Sequence, residues 1–154
     1  MAELKSHTAK FFEVIIKMIE TAEDGCEKMV KKTIVVDALS FGEAEKKAIE
    51  EMLPYSIDGV EVININPASY GEVFTSDDDT DDQFFKAKLE FITIDERTEK
   101  EKRSKVTYLV QAKSLARALR YVDDVMSRTM IGYDSVGIVG TNIADCFFHG
   151  YESN

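Results

Sequence analysis

Residues 10–20 alternate with a period of two: Phe12, Val14, Ile16 and Met18 fall on one side, and Glu13, Ile15, Lys17 and Ile19 on the other. Strict alternation over this length predicts a strand. Asp24-Gly25 then marks a hairpin turn, and residues 28–38 predict a second strand with Ile34, Val36 and Ala38 inward. At Ser40 the period changes. Ser40-Phe-Gly-Glu43 has the spacing of a capping box, and Phe41, Ala44, Ala48 and Met52 form one stripe of a helix that Pro54 stops. Asp58-Gly59 turns the chain into a third strand over 60–65.

The same order then recurs. Phe85, Ala87, Leu89 and Phe91 face inward along 84–94, the charged stretch 95–103 reads as a hairpin loop, and Val106, Tyr108, Val110 and Ala112 follow as a second strand. Ser114 caps a helix with the stripe Leu115, Ala118/Leu119, Val122 and Met126, although Arg117 stands where the first box has Glu43. A third strand is predicted over 135–141. At an offset of 74, six of the 21 positions from 33 to 53 are identical: Thr33, Val36, Ala38, Ser40, Ala44 and Met52. Repetition at a fixed period is a fold-level signal. The expected fold is therefore α+β, a tandem duplication of a β-β-α-β unit with pseudo-twofold symmetry, its antiparallel-rich sheets backed by two helices. The first repeat is placed at 1–75, an acidic linker at 76–82 and the second repeat at 83–154, in one compact domain. Each half alone is near the size at which a single core barely offsets chain entropy.

Charge sharpens this division. The net charge of −10 splits into −6 over 1–75, −5 over 76–82 and +1 over 83–154, and the last segment holds all five arginines. A block of like charge such as Asp77-Asp78-Asp79-Thr80-Asp81-Asp82 reads as a solvated linker. As a calcium loop it fails, because its sixth and twelfth positions are Asp82 and Lys88 rather than Gly and Glu. The overall charge disfavours nucleic acid as a partner. No apolar run approaches the ~20 residues of a membrane span, and the N-terminus lacks a signal-peptide pattern. Cys26 and Cys146 read as free thiols, so a reducing cytoplasm is the expected location.

Candidate chemistry is sparse. Cys146 and His149 stand three apart without a third orienting group, and a half-buried thiol is the plainer reading. Two histidines and no cysteine cluster argue against a metal site, and no phosphate loop or dinucleotide fingerprint calls for a cofactor. Anion binding draws instead on Arg97 and Arg103 in the second hairpin, and on Arg117 and Arg120 near the start of the second helix. Against it, Asp95, Glu96, Glu99 and Glu101 cancel most of the hairpin field, and exposed helix faces commonly carry Arg. Asn66, Tyr70 and Asn142 fall at corresponding ends of the third strands, where they either line a ligand cleft or serve turn chemistry. Ile15, Ile19, Ile92 and Ile94 lie on the strand faces opposite the main stripes, so either the sheets are covered on both sides or this face meets another subunit.

The segments Val36-Asp-Ala-Leu-Ser-Phe-Gly-Glu-Ala-Glu45, Glu50-Glu-Met-Leu-Pro54 and Thr107-Tyr-Leu-Val-Gln-Ala112 resemble an uncharacterised family of small proteins from Bacteroidetes-type bacteria and their phages, a domain of unknown function. The likeness spans roughly residues 10 to 148 and implies a bacterial cytoplasm or a phage gene. It carries no catalytic residues across. The expected function is a non-catalytic binding or interaction protein, homo-oligomeric, with itself and a host or phage protein as partners. The alternative is a protein that sequesters a nucleotide or another anionic small molecule through the second-half arginines.

Overall fold

A computed structural model of the chain describes residues 3–148. Among them are two α-helices and nine strands in two sheets, a mixed α+β arrangement. The described residues form two compact units: one takes in Ala9–Ser69 with residues 142–148, the other Tyr70–Thr141 with residues 3–8.

In the Ala9 unit, β2 (Phe11–Thr21) and β3 (Glu27–Asp37) form the predicted hairpin, closed at Asp24-Gly25 with Gly25 at φ 85°. α1 (Phe41–Met52) covers one face of this sheet. Its Ala44, Ala48 and Met52 recur every fourth residue, and two of the three are alanines, whose small side chains let the helix backbone approach Phe12, Val14, Ile16, Ile34 and Val36 closely. Phe41 keeps only an edge contact with Phe12, ring centroids 5.2 Å apart, and is otherwise exposed. β4 (Val60–Ala68) pairs antiparallel with β2 and runs three residues further than the pattern indicated, through Pro67. Proline is tolerated there because β4 is an edge strand and needs no outward donor.

The capping box forms with one change. Ser40 Oγ accepts from the Glu43 amide at 3.1 Å, while Glu43 Oε2 reaches past the cap to accept from the Leu39 amide, also at 3.1 Å. In the second helix Ser114 Oγ accepts from the Arg117 amide at 3.2 Å and no side chain returns the bond from that position. Ser40→Ala is expected to cost about 1 kcal/mol in urea unfolding and Ser114→Ala no more than that. A much larger loss for Ser114→Ala would contradict this account of the caps.

In the Tyr70 unit, β6 (Gln83–Ile94) and β7 (Glu101–Ala112) form the second hairpin, backed by α2 (Leu115–Ser127). Phe85, Ala87, Leu89, Tyr108 and Val110 meet Ala118, Tyr121, Val122 and Met126 in its core. The stripe of α2 thus differs from the predicted one: Leu115 and Leu119 stay exposed, and Tyr121 takes the inward place. β8 (Gly132–Gly140) pairs antiparallel with β6 as the outer strand.

Three strands were not anticipated. β5 (Glu72–Ser76) leaves β4 and pairs in parallel with β7, while β1 (Leu4–His7) lies antiparallel on β5. β9 (Ile143–Phe147) leaves β8 and pairs in parallel with β3. The sheet orders are β1-β5-β7-β6-β8 and β4-β2-β3-β9. Each half of the chain therefore supplies one parallel strand to the sheet built mainly from the other half.

The acidic stretch is not solvated throughout. Asp81 is buried, one of two buried charged residues among those described. Its carboxylate accepts from Tyr121 Oη at 2.6 Å, from the Lys113 amide at 2.9 Å and from Ser76 Oγ, and it lies 3.1 Å from Arg117 Nε. Arg117 also reaches Asp78 at 3.0 Å. A linker of freely hydrated carboxylates is corrected at this one residue, because burial of a charge is tolerated where donors and a counter-charge surround it. The other buried charged residue, Asp37, accepts from Lys47 Nζ through its carbonyl at 2.7 Å and its carboxylate at 3.4 Å.

Candidate interaction surface

The arginines singled out in the sequence are largely engaged by carboxylates. Arg103 Nη1 lies 2.7 Å from Asp134 and 3.1 Å from Glu90, with Nε 3.4 Å from Glu101. The hydrogen bonds it donates to Asp134 and then to Glu90 hold its pKa above the usual arginine value. Arg117 is held by Tyr121, Asp81 and Asp78, its pKa raised first by the Tyr121 hydrogen bond. Arg97 sits in the exposed 95–100 turn, where its amide donates to Asp95, and Arg120 is exposed on α2. Arg103 and Arg117 are held by separate sets of carboxylates.

Asn66 and Asn142 do not share a cleft. Asn66 is on β4 and Asn142 immediately precedes β9, the two opposite edges of one four-stranded sheet. Three strand spacings separate those edges, about 14 Å. Tyr70 is buried in the other unit, with Lys86 Nζ 5.7 Å from its ring centre.

The strand isoleucines are broken up by charge. Ile15 and Ile19 are half-buried, and between them lies Lys17, opposite Lys31 on β3 and Glu61 on β4. Ile92 is half-buried opposite Arg103, and Ile94 is 70% exposed opposite Glu101. On these same faces Phe11, Val35, Val73, Phe84 and Leu109 are buried within the single chain.

Cys146 has the opposite of nucleophile chemistry. Burial, with Asp145 and Glu13 nearby, pushes its thiol far above the ordinary range, and only a thiolate attacks. Its expected neighbour, His149, lies outside the described residues. His7 is on β1, with Nε2 2.9 Å from Thr75 Oγ1. In native protein at pH 8, iodoacetamide is expected to add once, at the exposed Cys26, and twice only after denaturation. Mass spectrometry checks this, and rapid native labelling of Cys146 would refute it.

What the sequence reading did not reach is a shallow groove of about 380 Å³ between α2 and β8, lined by Leu115, Ala116, Leu119, Ser135, Gly137 and Ile138. None of these six side chains is charged. Leu115 is 52% and Leu119 41% exposed, and on the adjoining strand Val136 is 59% and Val139 50% exposed. The helix pattern placed Leu115 and Leu119 in the core, so the groove was hidden behind a reasonable core assignment. The available signal was in 132–140 itself: three glycines, one acid and no lysine or proline.

The chain is thus a mixed α+β arrangement of helix-backed sheets with an uncharged groove beside an edge strand. The chain belongs to the family defined by a domain of unknown function, DUF4494, whose family model matches residues 10–149. No curated protein and no solved structure matches it.

Proposed function

We propose that this is a non-catalytic interaction protein that works as a homo-oligomer, built by tandem duplication. The observation that carries the reading is the apolar surface of α2 and β8. Solvent-facing Leu115 and Leu119 line the groove with Ile138, and Val136 and Val139 are exposed along the same edge strand, on a chain of net charge −10; exposed apolar area of this kind commonly marks an interaction site. The isoleucine face supports it less, since charged residues interrupt it. Light scattering behind size exclusion tests the reading. An oligomer mass, a multiple of 17.4 kDa, is expected at micromolar protein, and a strict single-chain mass across the concentration range would remove the oligomer.

The duplication draws support from coinciding irregularities. The β2–β4 register jumps at Ile63 and the β6–β8 register at Val136, positions 73 apart. The parallel pairs Ile34↔Asp145, Val35↔Cys146 and Val36↔Phe147 correspond in the same way to Tyr108↔Glu72, Leu109↔Val73 and Val110↔Phe74. A bacterial or phage cytoplasm as the setting rests on the resemblance of the quoted segments. The alternative, capture of an anionic small molecule, is weakened by the carboxylates already on Arg103 and Arg117. A thermal-shift series with nucleotides decides it: ligand far above its dissociation constant raises the melting temperature by several degrees, and no shift at millimolar nucleotide ends that reading.

A further inference from the structure

We infer that the partner at the α2–β8 groove is a second copy of this chain, joined by antiparallel pairing of β8 with its own counterpart over Gly137–Gly140. The inference rests on the oligomeric reading above and gives it a geometry. Among the four sheet edges β8 is the unguarded one. β4 carries Glu61 and Pro67, β1 has only four residues and includes Lys5, and β9 has five and includes Asp145. β8 has nine residues and a single charge, Asp134, whose carboxylate is taken up by Arg103 at 2.7 Å. Natural edges normally carry lysine, proline or a covering element against strand addition. The bulge at Val136 divides β8, and the run beyond it, Gly137-Ile138-Val139-Gly140, is the part that combines apolar side chains with open backbone.

Charge limits where two copies can meet. Two copies at −10 each repel over most of their surface, so the favourable approach is through a patch that carries no net charge, and the lining of this groove is uncharged. A twofold contact of this kind uses the same patch on both copies and closes on itself, which leaves no open end to grow a fibre. The pairing also suits the side chains. Opposed residues of an antiparallel pair must present their backbone groups in the same sense, so the axis passes through one residue, here Ile138 or Val139. In either case one valine or isoleucine lies opposite a glycine, and the space above Gly137 is open, with nothing within 4 Å of an added Cβ.

The test uses the full chain in a Cys26→Ser background, with Ile138→Cys and Val139→Cys made separately. The residue on the axis has its Cβ about 5 Å from its own copy, so mild oxidation is expected to convert most of one variant into a covalent dimer of twice 17.4 kDa. Ile65→Cys, at the place on β4 that corresponds to Ile138, is expected to give none. Val139→Lys, with an unchanged circular-dichroism spectrum, is expected to weaken self-association at least tenfold. If the unmodified chain scatters as an oligomer but neither cysteine variant cross-links, the β8 contact is wrong while the oligomeric reading stands. If the unmodified chain is a strict monomer, both fall.

Discussion

A chain ended after Thr141 is expected to lose the fold of the Ala9 unit while the Tyr70 unit keeps most of its own. The cut removes β9, which pairs with β3 through Thr33–Val36 and buries Ile143. It leaves β3 with an unpaired edge and strips Phe147 from the core formed by Phe12, Ile34, Val36 and Ala48. A single large core residue removed costs about 3–5 kcal/mol, and the loss here includes a whole strand, against a total stability of about 5–15 kcal/mol for a domain. Amide exchange read by NMR locates the damage. Protection should vanish in β2, β3 and β4 and persist in β6 and β7, and a peptide of residues 142–148 added in trans should restore part of it. If protection disappeared first from β6 and β7, the strand would belong to the sheet of its own half and the exchanged pairing would be wrong.

Asp81→Ala is expected to destabilise the protein by about 3 kcal/mol in chemical unfolding, the range for removing one member of a buried, hydrogen-bonded charge. The change strands the Tyr121 hydroxyl, the Ser76 hydroxyl and the Lys113 amide in a space that water enters poorly. Asp77→Ala and Asp79→Ala, on the same run, should change stability by less than about 0.5 kcal/mol, as exposed sites do. Burial and the Asp81 hydrogen bond raise the Tyr121 pKa, so a downward movement of that tyrosine titration in Asp81→Ala would report the same contact spectroscopically. Equal and small effects at all three aspartates would return the segment to a freely hydrated linker.

These two expectations also mark where the sequence stopped being readable. The long strands and both helices were legible because their signals are local: alternation from Phe12 to Met18, the Ser40 and Ser114 caps, the glycine turns at 25 and 59. β5 and β9 are five residues each, too short to show a period, and their partners lie in the opposite half of the chain. Nothing near Val73 or Cys146 announces that its neighbour is Leu109 or Val35. The burial of Asp81 was illegible for a related reason. Five aspartates look alike in a charge count, and only the fold decides which one meets Tyr121 and Arg117. The same tyrosine, turned inward, rotates the stripe of α2 and leaves Leu115 and Leu119 outside, so one long-range polar contact and the exposed groove share a cause.

The exchanged strands also set an order in time. β3 ends at Asp37, yet the strand that completes its edge begins at Ile143. During synthesis the first helix and its hairpin emerge long before that strand exists, and until it does the nascent chain carries an open parallel edge over an apolar face. Contacts so distant in sequence slow folding, and unpaired edges invite wrong partners while they wait. A protein connected in this way completes its first-made sheet only when β9 has been released.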